Sequence, residues 1–116
     1  MKKILALLLL FVLCVPLARA ADDVASIFRD ANTSYRTGDY AKAAELYASL
    51  VAREPGVASF HYNLANASVR LGKLSQAILN YEQALQLDPR HADARENLRY
   101  TRGLLEYRVE DTRNWY

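Results

Sequence analysis

Four asparagines carry the clearest chemical signal in the chain. Asn66 follows Asn32 at the same interval at which Asn97 follows Asn63. A carboxamide offers one acceptor and two donors, which suits an extended polypeptide backbone. Arg36 and Arg70 repeat at that interval too. A guanidinium can fork onto a carboxylate or a chain terminus. The other reactive side chains do not assemble a catalyst. His61 and His91 stand far apart in the chain, without paired cysteines or clustered carboxylates, so they do not spell a metal site. No serine is marked as a nucleophile elbow. Gly38, Gly56, Gly72 and Gly103 are isolated, which leaves no phosphate-cradling loop. The sequence thus predicts no catalytic residue, no metal and no cofactor.

The recurring asparagines belong to a longer repeat. Val24–Val57 aligns without a gap on Ala58–His91, with matches at Ala31/Ala65, Asn32/Asn66, Ser34/Ser68, Arg36/Arg70, Gly38/Gly72, Ala43/Ala77, Tyr47/Tyr81 and Pro55/Pro89. Chance would supply roughly two matches over such a span. Each unit splits at its glycine. The spacing predicts helices over Ala25–Thr37 and Tyr40–Arg53 in the first unit, and over Ser59–Leu71 and Leu74–Leu87 in the second. Gly38 and Gly72 supply left-handed stops. Asp39 should cap the helix that follows it, and Ser75 is the substitute in the second unit, where Lys73 stands in place of the aspartate. Pro55 and Pro89 end the units. Leu64, Leu71, Leu74, Ala77, Ile78, Tyr81, Leu85 and Leu87 recur at helical intervals. The alanine pairs mark close helix approaches, where a large side chain would overpack. Tyr47 and Tyr81 should fill space between hairpins, with the hydroxyl at the rim. A last helix over Ala92–Val109 would lay Ala94, Leu98, Thr101, Leu105 and Val109 against the second unit, with a polar outside. Arg95, Arg99 and Arg102 alternate there with Asp93, Glu96 and Glu106 as a solvated face.

The N-terminal stretch Met1–Ala20 has the layout of a secretory signal peptide. Lys2 and Lys3 precede the apolar run Ile4–Val15, Pro16 ends it, and Ala18-Arg19-Ala20 sets cleavage after Ala20. The run is too short for the ~30 Å hydrocarbon core unless it stays uncleaved and recruits its neighbours. Leu13, ahead of the single cysteine Cys14, argues against lipidation. Cleavage removes Lys2, Lys3 and Arg19 from the 15 basic residues and leaves all 13 acids. The net charge then turns slightly negative, and no broad positive field for nucleic acid remains. With Cys14 gone the exported chain has no disulfide, and so small a domain must rest on a packed apolar core.

The two units resemble the tetratricopeptide repeat, a 34-residue helical hairpin. The second carries His61, Leu64, Ala65, Ala77, Tyr81, Ala84 and Pro89 at the favoured places. The first carries Ala31, Ala43, Tyr47, Leu50 and Pro55, with Asp30 where leucine is usual. The resemblance implies an all-α fold, with two helical hairpins stacked as a short right-handed solenoid under a C-terminal capping helix. It makes His61 a satisfied packing histidine. It also implies a concave groove lined by the first helix of each unit. That groove would hold Ala25, Phe28, Arg29, Asn32, Tyr35 and Arg36, then Ser59, Tyr62, Asn63, Asn66, Val69 and Arg70. Asn97 would follow from the capping helix.

The function implied is a non-enzymatic, exported scaffold that holds a protein or peptide segment, without nucleic acid and without a cofactor. Some chaperone-binding members grip a C-terminal carboxylate with two asparagines and several cations. Asn32 and Asn63 fill the asparagine places, but Phe28, Asp93 and Asn97 stand where cations are needed, so chaperone-tail binding is not expected. Two units are fewer than the usual three, which leaves room for self-association or a completing partner. The alternative is a component of a membrane-associated assembly, similar to the exported repeat proteins of aerotolerance operons. Leu104, Tyr107, Trp115 and Tyr116 would then be contacts, and the membrane would be reached through the signal segment or a membrane-bound partner.

Overall fold

The computed structural model describes residues 23–114. The apolar segment, its cleavage site, Cys14, Trp115 and Tyr116 lie outside the described residues. Those described form helices without a strand: α1 over residues 23–36, α2 Tyr40–Arg53, α3 Ala58–Arg70, α4 Leu74–Leu87 and α5 Ala92–Arg113. Neighbours in sequence pack side by side, α2 on α3, α3 on α4 and α4 on α5.

Both hairpins are closed by the same backbone device. The Gly38 N–H bonds Tyr35 O at 3.2 Å and the Asp39 N–H bonds Ser34 O at 2.9 Å. Gly72 and Lys73 repeat this on Val69 O and Ser68 O, at 3.0 and 2.9 Å. The paired bonds satisfy orphan carbonyls and demand a left-handed residue, which Gly38 (φ +85°) and Gly72 (φ +73°) provide. Asp39 then caps α2 by accepting the Lys42 N–H at 3.2 Å. Ser75 does not cap α4, contrary to the sequence expectation. Lys73 holds the cap position with no side-chain bond. The Lys73-to-Ser68 bond fixes re-entry directly after Gly72, so the helix is already under way at Ser75.

Small residues set how closely the helices lie. Ala31, Ala43, Ala65 and Ala77 are fully buried. One apolar cluster joins Ala31, Ala43, Tyr47, Leu50, Phe60 and Ala67, and a second joins Ala65, Ala77, Tyr81, Ala84, Ala94 and Leu98. Leu71 and Leu87, which recur at helical intervals with the buried residues, are 36% and 42% exposed. Both sit at the C-terminal ends of their helices, Leu71 as the cap of α3 and Leu87 as the last residue of α4. His61 is buried, and its Nε2 donates to Pro55 O at 2.8 Å, which pins the α2–α3 turn. Its Nδ1 is buried without a partner, so the expectation of a satisfied histidine holds for one ring nitrogen. His91 caps α5 by accepting the Ala94 N–H at 3.2 Å.

The capping helix is longer than the sequence indicated. Ala94, Leu98 and Thr101 are buried, Leu105 is half-buried and Val109 is 49% exposed. The apolar stripe therefore outruns the surface beneath it, yet α5 continues to Arg113. Polar straps hold it down: Arg102 pairs with Glu82 at 2.6 Å, and Arg108 donates to Gly72 O at 3.0 Å.

Gly38→Ala puts a Cβ into open space, so its cost is conformational only. A left-handed L-residue costs about 1–2 kcal/mol, partly offset by about 0.4–1 kcal/mol of reduced unfolded-state entropy. Urea unfolding should show Gly38→Ala less stable by roughly 1 kcal/mol. Gly56→Ala, at a glycine with no positive φ and open surroundings, should be neutral or slightly stabilising.

Candidate functional site

The residues expected along the groove come from α1, α3 and α5, and the repeat carries an inter-helix bond that holds its asparagines. Tyr47 on α2 donates its hydroxyl to Asn32 Oδ1 on α1 at 2.7 Å, and Tyr81 on α4 does the same to Asn66 Oδ1 on α3 at 2.5 Å. Both tyrosines are 2% exposed, so their hydroxyls are enclosed rather than at the rim where the sequence reading put them. Such a hydroxyl must find a partner, since burying it unpaired costs about 1–3 kcal/mol. Asn32 and Asn66 are half-buried, so one end of each amide faces the packed helices. The bond turns the carbonyl oxygen inward and leaves Nδ2 as the free end. This narrows the sequence reading of these amides as both acceptors and donors: the acceptor is already engaged.

The asparagines join across the helices. Asn97 Nδ2 lies 3.2 Å from Asn66 Oδ1 and 3.4 Å from the Tyr62 hydroxyl, donating to both. Tyr62 also packs against Tyr81 (ring centroids 6.0 Å) and His91 (4.5 Å). Asn66, Asn97, Tyr62 and Tyr81 therefore form one continuous polar patch over the second apolar cluster. Asn63 is half-buried beside it.

The arginines part company. Arg70 donates to the Tyr40 hydroxyl and lies over its ring at 4.6 Å. Tyr35 meets the same ring edge-on at 5.2 Å. Arg36 stays exposed and reaches only Thr33 Oγ1 on its own helix, at 3.4 Å. Phe28 packs against Phe60 with centroids 5.5 Å apart and serves the core as much as any groove. Sequence reasoning missed Tyr40 and His91 as neighbours of these residues, because no local pattern ties Tyr40 to Arg70. The Tyr–Asn bond did leave a signal: both partners recur once per repeat, and their separation along the chain is the same in each unit.

Burial pushes the Tyr81 hydroxyl up to about 12, with the nearby Asn97 amide acting in the opposite direction. Burial raises Tyr47 and Tyr35 as well, and Arg70 opposes the shift at Tyr35. Among the described residues no group of three or more His, Cys, Asp or Glu could hold a metal ion. A hollow of about 610 Å³ lies elsewhere, between α2 and α4 over Leu64 and Ser68, and includes none of the expected groove residues. No described helix is long and apolar enough to cross a membrane.

A sequence profile of the tetratricopeptide repeat matches residues 28–89 and again 62–98. The chain belongs to the tetratricopeptide-repeat family. It is 29% identical over 84 residues to the inactive TPR repeat-containing thioredoxin TTL3 of Arabidopsis thaliana, covering 72% of this chain and 12% of that one. It is 31% identical over 70 residues to the SGT1 homolog of Oryza sativa subsp. japonica, covering 60% and 18%. The chain thus spans less than a fifth of the length of these relatives. Among solved structures, the CopN–Scc3 complex matches with a TM-score of 0.71 at 21% identity, covering 79% of this chain and 54% of the other. The second TPR of Spaghetti (RPAP3), bound to the HSP90 peptide SRMEEVD, gives 0.69 at 24%, covering 79% and 85%. The TPR2B domain of yeast Sti1, in complex with pHsp70, gives 0.69 at 18%, covering 75% and 70%. These matches show the stacked tetratricopeptide-repeat fold.

The raised hydroxyl makes the tyrosine contact testable by pH. Folded Tyr81 holds its proton to about pH 12, against the ordinary value of 10.0 when unfolded. The folded state binds more protons between these values, so stability falls as pH rises. The contribution should be complete below about pH 10 and lost through about pH 12. Tyrosinate absorbance during alkaline unfolding follows it, and Tyr81→Phe should flatten that limb of the pH–stability curve.

Proposed function

We propose that this protein is a non-enzymatic scaffold that holds an extended protein segment along the face shared by α1, α3 and α5. The locked orientation of Asn32 and Asn66 carries this reading. Each presents an amide N–H₂ whose oxygen is already engaged by a buried tyrosine. Two donors fixed in advance lose little freedom on meeting backbone carbonyls, which lowers the cost of binding. Structural neighbours in complex with a peptide or a protein support a polypeptide ligand. The charges argue against a chaperone-tail ligand, because Phe28 is packed on Phe60 and Asp93 brings a negative charge where a cation would be needed. An internal segment of a partner is the better fit.

The layout of Met1–Ala20 supports export, with action in the periplasm or outside the cell after cleavage following Ala20. A second reading keeps that segment attached and makes the chain part of a membrane-associated assembly. Tyr100 and Tyr107, 64% and 71% exposed on α5, favour it. Carbonate extraction distinguishes the two: release of a shortened chain supports the exported scaffold, and retention of the full chain supports the assembly.

Asn32→Ala combined with Asn66→Ala should reduce recovery of partner proteins by about tenfold or more, since each lost hydrogen bond is worth about 0.5–1.5 kcal/mol. Each substitution also leaves a buried tyrosine hydroxyl unpaired at about 1–3 kcal/mol, so recovery is compared below the thermal transition, where far-ultraviolet circular dichroism shows the helical signal kept. Equal recovery with wild-type and doubly substituted bait would count against the groove.

A further inference from the structure

The outer face of α5 carries a run of bases followed by a pair of acids. Arg95, Arg99, Arg102, Gly103, Glu106 and Glu110 fall on one side at about 100° per residue, away from the buried stripe of Ala94, Leu98 and Thr101. On that face Arg95, Arg99 and Arg102 precede Glu106 and Glu110, and Arg113 follows at the C-terminal end, 4.0 Å from Glu110. Arg102 is engaged by Glu82. Arg95 donates to Pro89 O. Arg99 and Glu106 have no ion pair among the described residues.

We propose that α5 pairs antiparallel with α5 of a second copy of this chain, crossing at the Arg102–Gly103 peptide. The charge order is self-complementary about that point. Arg99 and Glu106 lie equally far on either side of it, and so do Arg95 and Glu110. A two-fold axis there sets Arg99 of each copy against Glu106 of the other, and Arg95 against Glu110, as an isologous contact requires. Gly103 supplies the close approach. A Cβ there would meet nothing within 4 Å, and the residue lies on the shared wall of two shallow hollows of about 410 and 440 Å³. One helix pair buries less than the ~800 Å² per partner of a standard interface. The dimer is therefore reversible and weakens as salt screens its exposed charges. The surface is separate from the asparagine groove, so the two proposals stand or fall independently.

Sedimentation velocity over a concentration series, on protein purified from cells expressing the full chain, tests this. Wild type should show a monomer–dimer equilibrium at low ionic strength that shifts to monomer at high salt. Arg99→Glu alone and Glu106→Arg alone should each weaken dimerisation by about tenfold or more. An equimolar mixture of the two variants should recover dimer, because each reversed charge then meets its complement. Arg99→Glu with Glu106→Arg in one chain should recover it too. Gly103→Leu should abolish dimer while helicity is kept. Monomer at every concentration, as when the face serves a different polypeptide, overturns the proposal. So does a dimer indifferent to single reversals, or a mixture that fails to recover.

Discussion

The structure depends on a hydroxyl that cannot reach water. Tyr47 and Tyr81 fill the space between successive helices and are almost wholly enclosed. Their rings give the stack its apolar bulk, and their oxygens would undo that gain if left unpaired. Asn32 and Asn66 answer each oxygen from the preceding helix. The same bond joins the two helices of a hairpin, satisfies a buried polar atom and turns an amide outward. Packing and recognition share one contact, so a change at the asparagine is felt in both.

The alanines around that contact explain why it forms. With Ala31 in the first hairpin and Ala65 in the second, backbones come close enough for a tyrosine to span from one helix to an asparagine on the other. Gly38 and Gly72 return the chain at the angle this requires, and the paired backbone bonds at Ser34 and Ser68 fix that angle twice. The repetition makes the two hairpins near copies, and the asparagines fall in register for that reason.

At the C-terminal end the logic changes. α5 has arginines where α3 has the small residues that admit a second helix: one repeat on, Arg99 takes the place of Ala65 and Arg102 the place of Ser68. No following helix can pack there as α4 packs on α3. The helix is held instead by three buried residues and by arginines that reach back to Glu82 and Gly72. The outer face stays charged, and the placement of its charges sets what can lie against it.

Sequence alone determined the helices, their order and the stops of the two hairpins. Those features are local: the glycine that turns left-handed, the proline that forbids continuation and the spacing of apolar residues all act within a few positions, and α2 and α4 begin and end where that spacing put them. It also placed the asparagines at one interval, because a repeat states its register in its own letters. The tertiary structure decided which of those side chains were free. Asn32 spends its oxygen on Tyr47, Arg70 lies on Tyr40 rather than standing open as Arg36 does, and Leu71 and Leu87 are left at the surface. All of these follow from helices meeting across long stretches of chain. No periodicity within one helix records what the next helix offers, because that depends on the angle and distance at which the two pack.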